Sequence, residues 1–169
     1  MKVSEIMSAA KACCPTDDLQ RAAQIMWEND CGVVPVVDGE TRVVGMITDR
    51  DICMASYTHG QPLWSIPVSS AMATVVYAVH VGDPLETAET LMRRVRVRRL
   101  PVLDAEGRLI GILSLNDLAR HAHRSPAHKS NSLSGDRIVQ TLAAVGEPQH
   151  AAADAKGAAA NGSRTHLPV

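Results

Sequence analysis

The chain has 169 residues, of which 46% are apolar and 2% aromatic, with no Phe and a formal charge of −1. That length suits one ordinary domain or two small intertwined units, with Val, Leu, Ile, Ala and Met filling the core. The near-neutral charge argues against a nucleic-acid binder or a polybasic membrane protein. No apolar run approaches the roughly 20 residues of a spanning helix, and the N-terminus lacks a signal-like apolar stretch, so a cytoplasmic protein is expected.

The chain opens with a short helix ending near Met7, followed by an extended stretch, Lys11 to Cys14. Asp17 with Gln20 fits a helix N-cap and its reciprocal partner, and Leu19, Ala22, Ala23 and Met26 give the helix one buried face. A strand over Val33 to Val37 contains Pro35, which predicts an edge, a bulge or an irregular ladder, as does Pro101 in the second repeat, and Asp38-Gly39 supplies a turn. A second strand, Val43 to Ile47, leads into a capped helix, Asp49 to Ala55. Ser56 to Pro67 reads as a linker. The same order then returns.

A second short helix ends near Met72, and Val75 to Val81 is extended. Asp83 with Glu86 and Pro84 at the first helical position start the next helix, with Leu85, Ala88, Leu91, Met92 and Val95 inward. Strands over Arg99 to Leu103 and Leu109 to Leu113 flank the turn Asp104 to Gly107, and a capped helix runs from Leu115 to His121. Beyond the second repeat, the chain turns polar from Arg124. Asp136 to Val145 forms a short helix with Ile138, Leu142 and Val145 on one face and Gly146 as its stop, and 147–169 is expected to be disordered. The ranges are 1–58 and 68–123 for the two repeats, 59–67 for the linker, and 124–146 for the polar loop and last helix. The fold class is α+β, two β-α-β-β-α repeats packed sheet to sheet about a pseudo-twofold axis.

The chemistry gathers where each second hairpin strand meets its helix. Gly45-Met46-Ile47-Thr48-Asp49-Arg50-Asp51 offers an interior strand glycine, a hydroxyl at a helix start and an aspartate three residues on. A glycine inside a strand marks close approach of a backbone or a ligand. A hydroxyl with helix N-terminal N–H groups binds anions, and a carboxylate accepts two hydrogen bonds from a vicinal diol such as ribose. One such segment is only a capped helix. Here Gly111, Ser114 and Asp117 repeat Gly45, Thr48 and Asp51 at a shift of 66 residues.

These paired units, with the Leu-Pro-Val-Leu-Asp strand and the Gly-x-x-Thr/Ser-x-x-Asp ending, resemble cystathionine-β-synthase (CBS) domains, and the tandem pair resembles a Bateman module of the small stand-alone bacterial kind. The resemblance implies two clefts between the repeats and an adenosyl ligand: AMP, ADP, ATP, NAD or S-adenosylmethionine. By residue-wise carry-over, Thr48 and Ser114 match the phosphate position, and Asp51 and Asp117 match the ribose acceptor. One cleft is then lined by Cys31, Gly32 and Val33 with Lys11 and Ala12, and closed by Ser114 and Asp117. The other uses Val75, Val76 and the segment Arg96 to Arg98, including Val97, closed by Thr48 and Asp51. Five arginines fall within Arg93 to Arg99. Arg93 and Arg94 read as solvated, whereas Arg98 and Arg99 precede the strand that approaches the cleft and suit phosphate. That makes the Ser114/Asp117 cleft the better site. The family also implies a homodimer and an unidentified protein partner.

The leading expectation is a non-enzymatic sensor: no nucleophile with a paired base and no Walker or Rossmann glycine pattern is present. The alternatives are a ligand-free interaction module and a redox or metal sensor built on Cys13, Cys14, Cys31, Cys53 and the histidines, of which His121, His123 and His128 read as solvated. Cys13-Cys14 is the one candidate reactive spot.

Overall fold

The computed structural model describes residues 1–124 and 134–147. In chain order the regular elements are α1 (Leu19–Glu28), β1 (Val33–Val37), β2 (Val43–Thr48), α2 (Asp49–His59), β3 (Val79–His80), α3 (Leu85–Val95), β4 (Arg99–Leu103), β5 (Leu109–Ser114), α4 (Leu115–Arg124) and α5 (Gly135–Gly146). The chain is α+β, with a helix, an antiparallel hairpin and a second helix in each repeat.

The hairpins share one register. Pro35 faces Met46 and Pro101 faces Ile112, and the irregularity expected at the prolines falls one residue later, between Val36 and Val37 and between Val102 and Leu103. β3 runs parallel to β4, while the first repeat keeps only a single parallel bridge, from Cys13 to Val36.

The helix starts differ from the sequence reading. Asp18, not Asp17, is the N-cap of α1, accepting from the Arg21 N–H at 2.8 Å. Asp17 closes the preceding turn instead, accepting from the Cys14 N–H at 2.7 Å. Asp83 does the same for the His80 N–H at 2.8 Å, which leaves Pro84 at the N-cap of α3 rather than at its first position. Short polar side chains take either job, and a carboxylate one residue too early bonds the turn.

The two opening segments cross over. They form short 3-10 turns, Val3–Glu5 and Val68–Ser70. Val3 is buried with Leu85, Met92, Leu100 and Leu113 of the second repeat, and Val68 with Leu19, Val34, Ile47 and Ile66 of the first. Their N–H groups donate to Asp83 O at 2.9 Å and Asp17 O at 2.8 Å. Further on, Ser8 exchanges two backbone bonds of 2.9 Å with Ile112 of β5, and Ala73 exchanges bonds of 2.8 and 2.9 Å with Met46 of β2. The stretch read as linker is therefore partly core, since α2 extends to His59 and Leu63 and Ile66 pack into the first cluster.

Gly45 and Gly111 allow this crossing. A Cβ on Gly45 would lie 3.1 Å from Ala73 O, and one on Gly111 would lie 3.0 Å from Ser8 O. The close neighbour foreseen at these strand glycines is a backbone.

α5 covers α3 and α4 with Ile138, Thr141 and Val145 buried, while Leu142, expected inward, is exposed. The reason is a polar contact. Glu89 of α3 is fully buried and accepts hydrogen bonds from Thr141 Oγ1 and Arg137 Nη2, with Arg93 Nη1 at 3.5 Å. Arg93, read as solvated, is thus half-buried and paired. A buried carboxylate needs such partners, which turns Thr141 rather than Leu142 inward. Of the tail 147–169, expected to be disordered, Glu147 is described and pairs with Arg96 at 2.7 Å, whereas 148–169 and the polar loop at 125–133 lie outside the described residues.

Replacing Gly111 by Ala should lower the unfolding free energy by about 1–3 kcal/mol, as overpacking against fixed backbone does. Gly39→Ala, where a Cβ meets nothing within 4 Å, should stay within about 0.5 kcal/mol. Urea denaturation of the two variants checks this.

Candidate functional site

Each hairpin delivers its last residue to a helix start, and both starts carry a reciprocal cap. The Asp51 N–H donates to Thr48 Oγ1 at 3.1 Å, while Asp51 Oδ2 accepts from Thr48 N at 2.9 Å and Thr48 Oγ1 at 2.7 Å. In the second repeat the corresponding distances are 3.2, 2.8 and 2.5 Å for Ser114 and Asp117. The aspartate therefore has a structural use at the helix start, besides the ligand role expected of it. Here the aspartate is half of a capping box, and one carboxylate oxygen is committed to it.

The other oxygen differs between the two sides. Asp117 is buried, and its Oδ1 accepts from Ser8 Oγ at 3.4 Å and pairs with Arg120 Nη2. Ser8 belongs to the first opening segment, so this carboxylate is shared by both repeats. It sits at the back of a cleft of about 430 Å³. Of the residues expected there, Lys11, Cys31, Val33, Arg99, Ser114 and Asp117 line this cleft together. Ala12 is half-buried beside Lys11 and is not part of the wall. Gly32 faces α2, where a Cβ would lie 2.8 Å from Asp49 Oδ2, and it lines a separate hollow of about 580 Å³ with Trp27, Asp49 and Ile52.

The wall also includes Ser8, Asn29, Asp30, Asn116 and Arg120, which the sequence reading did not single out. Asn29 and Asp30 follow α1, and Asp30 takes a left-handed φ of 47° to turn the chain into β1. Its repeat mate Arg96 does the same at 57°. Arg120 stands one turn after Asp117, a spacing that could have drawn notice.

On the Thr48/Asp51 side, Val75 and Arg98 are exposed and Val76 and Val97 half-buried, with Val97 packed on the second core. The Arg98 carbonyl accepts the first helical N–H of α4, from Leu115, at 2.9 Å. Met54 occupies the position that matches Arg120.

The thiols are not alike. Cys13 is buried, and burial together with the nearby Asp17 charge pushes its thiol up to about 11. Cys13 therefore stays protonated at neutral pH, which removes half of the reactive pair suggested by Cys13-Cys14. Cys14 and Cys53 are exposed, and Cys31 is half-buried in the cleft wall. His121 is half-buried on α4, His123 is exposed, and His128 lies outside the described residues. Among the described residues, no three His, Cys, Asp or Glu side chains are grouped as metal ligands. No helix among them is long and apolar enough to cross a membrane.

Known proteins share this fold. The CBS domain family model matches residues 3–57 and again 68–124. Hypoxic response protein 1 of Mycobacterium tuberculosis is 32% identical over 145 residues, 85% of this chain and 93% of that protein. Its crystal structure, with two coordinated zinc ions, superposes with a TM-score of 0.65 at 31% identity, covering 72% of this chain and 98% of the other. The CBS domain-containing protein YhcV of Bacillus subtilis is 37% identical over 105 residues, 62% of this chain and 73% of that protein. CBSX2 of Arabidopsis thaliana, solved in complex with AMP, gives a TM-score of 0.64 at 28% identity, over 73% of this chain and 96% of the other.

Thiol labelling at neutral pH, followed residue by residue by mass spectrometry, should modify Cys14 and Cys53 first, Cys31 more slowly and Cys13 last. Raising the pH toward the Cys13 value of about 11 should narrow that gap.

Proposed function

The chain belongs to the CBS domain family, and from that premise we propose that it is a non-enzymatic regulatory module that binds an adenine nucleotide in the Ser114/Asp117 cleft. The single observation that carries this reading is the composition of the cleft wall, in which a shared carboxylate, two hydroxyls and three cations from both repeats converge. In this reading Asp117 accepts the ribose hydroxyls. Ser114 and the first N–H groups of α4 face the phosphate, with Lys11 and Arg99 supplying positive charge. The base lies toward Cys31, Val33 and Lys11. AMP in the CBSX2 complex supports an adenosyl ligand of this kind.

Signal transmission follows from the wall being built by both repeats. A ligand touching Ser8 and Lys11 on one side and Arg99 and Asp117 on the other reports on how the two repeats sit together. It shifts the protein toward one arrangement only by binding that arrangement more tightly. A cytoplasmic module signalling to a protein partner, and pairing with a second copy through helical faces, completes the proposal. The second reading, a metal sensor, is favoured by the zinc ions of the mycobacterial relative; metal analysis of purified protein, before and after chelation, separates the two.

Calorimetric titration with AMP, ATP, NAD and S-adenosylmethionine tests the leading reading. Asp117→Ala should weaken binding by about 1.5–3 kcal/mol, the usual loss for a hydrogen bond to a charged group, and Asp51→Ala by less. Both changes remove the same half of equivalent caps, so the difference between them isolates the ligand contact. Equal effects, or saturable binding to none of the four by the folded wild type, would contradict the assignment.

A further inference from the structure

Arg120 is the one basic residue of the cleft that is already paired with an acid of the same wall. Its side chain is 60% exposed, while that of its partner Asp117 is 5% exposed, so an exposed cation rests on a buried carboxylate. The two oxygens of that carboxylate have different duties. Oδ2 is tied to the cap by two hydrogen bonds from Ser114. Oδ1 has only exchangeable side-chain partners, Ser8 Oγ and Arg120. The buried carboxylate needs a partner in place of Arg120, and the hydroxyls of a diol supply one on Oδ1, while the exposed guanidinium is already largely solvated.

Lys11 and Arg99 line the same cleft, and among the described residues neither has a carboxylate partner within ion-pair distance. The acids of the wall are Asp117 and Asp30. Once a ribose covers Oδ1, the guanidinium of Arg120 is released from its acid, and the phosphate attached to that ribose is a stronger acceptor for it than water. Arginine binds phosphate with two parallel hydrogen bonds. At the matching place in the first repeat stands Met54, which has no charge to move.

We propose that Arg120 is a specificity residue of this cleft: its guanidinium leaves Asp117 when ribose hydroxyls arrive and turns to the ligand's phosphate, so that the cleft selects nucleoside phosphates over uncharged nucleosides and over the sulfonium of S-adenosylmethionine. The inference rests on the nucleotide reading given above. Arg120 acts twice with opposite sign, competing with the ribose and attracting the phosphate. Its removal therefore changes the ratio of affinities and not only their size.

The test is calorimetry of wild type, Arg120→Ala and Arg120→Gln with AMP and with adenosine, after circular dichroism has confirmed that each variant is folded. In both variants AMP should bind about tenfold or more weakly, while adenosine should bind as well as to wild type or better. An AMP-to-adenosine ratio unchanged from wild type, in variants that still bind both, overturns the role of Arg120 and leaves the nucleotide reading standing. Silence of folded wild type toward both compounds overturns the nucleotide reading itself and this inference with it.

Discussion

The exchange of opening segments between the repeats is the constraint on which everything else depends. A hairpin of two short strands does not persist alone in water, and its outer strand presents unpaired backbone groups. β2 and β5 each resolve this by accepting one residue of the other repeat's opening segment, Ala73 and Ser8, through paired backbone hydrogen bonds. The glycines at 45 and 111 leave room for the crossing chain. Val3 and Val68 then complete cores that belong, by sequence, to the other repeat. Neither repeat is a whole folding unit, and the pair is the domain.

The same crossing creates the site. Because the first opening segment runs along β5, Ser8 and Lys11 arrive beside the start of α4, and Ser8 reaches Asp117 across the repeat boundary. A cap that would otherwise serve α4 alone becomes part of a wall made by both repeats. The cap fixes one oxygen of Asp117 and the geometry of the helix start. That geometry leaves the other oxygen directed at Ser8 and Arg120. Structural need and the proposed binding role thus fall on one residue, which is why the presence of the aspartate does not by itself separate them.

The repeat, the hairpins and the helix order were legible in the sequence because they rest on periodic burial and on turn residues, which are local. The α1 and α3 faces were read nearly correctly, with Leu19, Ala22, Met26, Leu85, Ala88 and Met92 all inward. What escaped depends on contacts between distant segments. No local pattern says that Val3 packs beside Leu100, or that Glu89 is buried because Thr141 and Arg137 reach it from a helix some fifty residues on. The N-caps slipped by one residue because Asp17 and Asp83 suit turn and cap equally well. Lys11, Cys31, Val33, Arg99, Ser114 and Asp117 of the cleft wall were named through the family resemblance, with Ser114 and Asp117 also marked by the repeat. Asn29 and Asp30 were not, since their part in it follows from where the chain turns, whereas Arg120 was passed over although it stands one helical turn after Asp117.

α5 breaks the symmetry. It lies over α3 and α4, held by the buried Glu89, while the matching face of α1 and α2 keeps Trp27 and Tyr57 exposed. A second copy pairing through helical faces, as the family resemblance implies, would therefore meet two different surfaces on this chain. The claim at the centre of the account is that the shared wall around Asp117 receives the nucleotide, and a crystal structure of the protein grown with AMP tests it most directly. The account predicts AMP with its ribose on Asp117, its phosphate beside Ser114 and its base toward Cys31 and Val33. AMP bound elsewhere on the molecule, with Asp117 and Ser8 still joined as they are now, would contradict it.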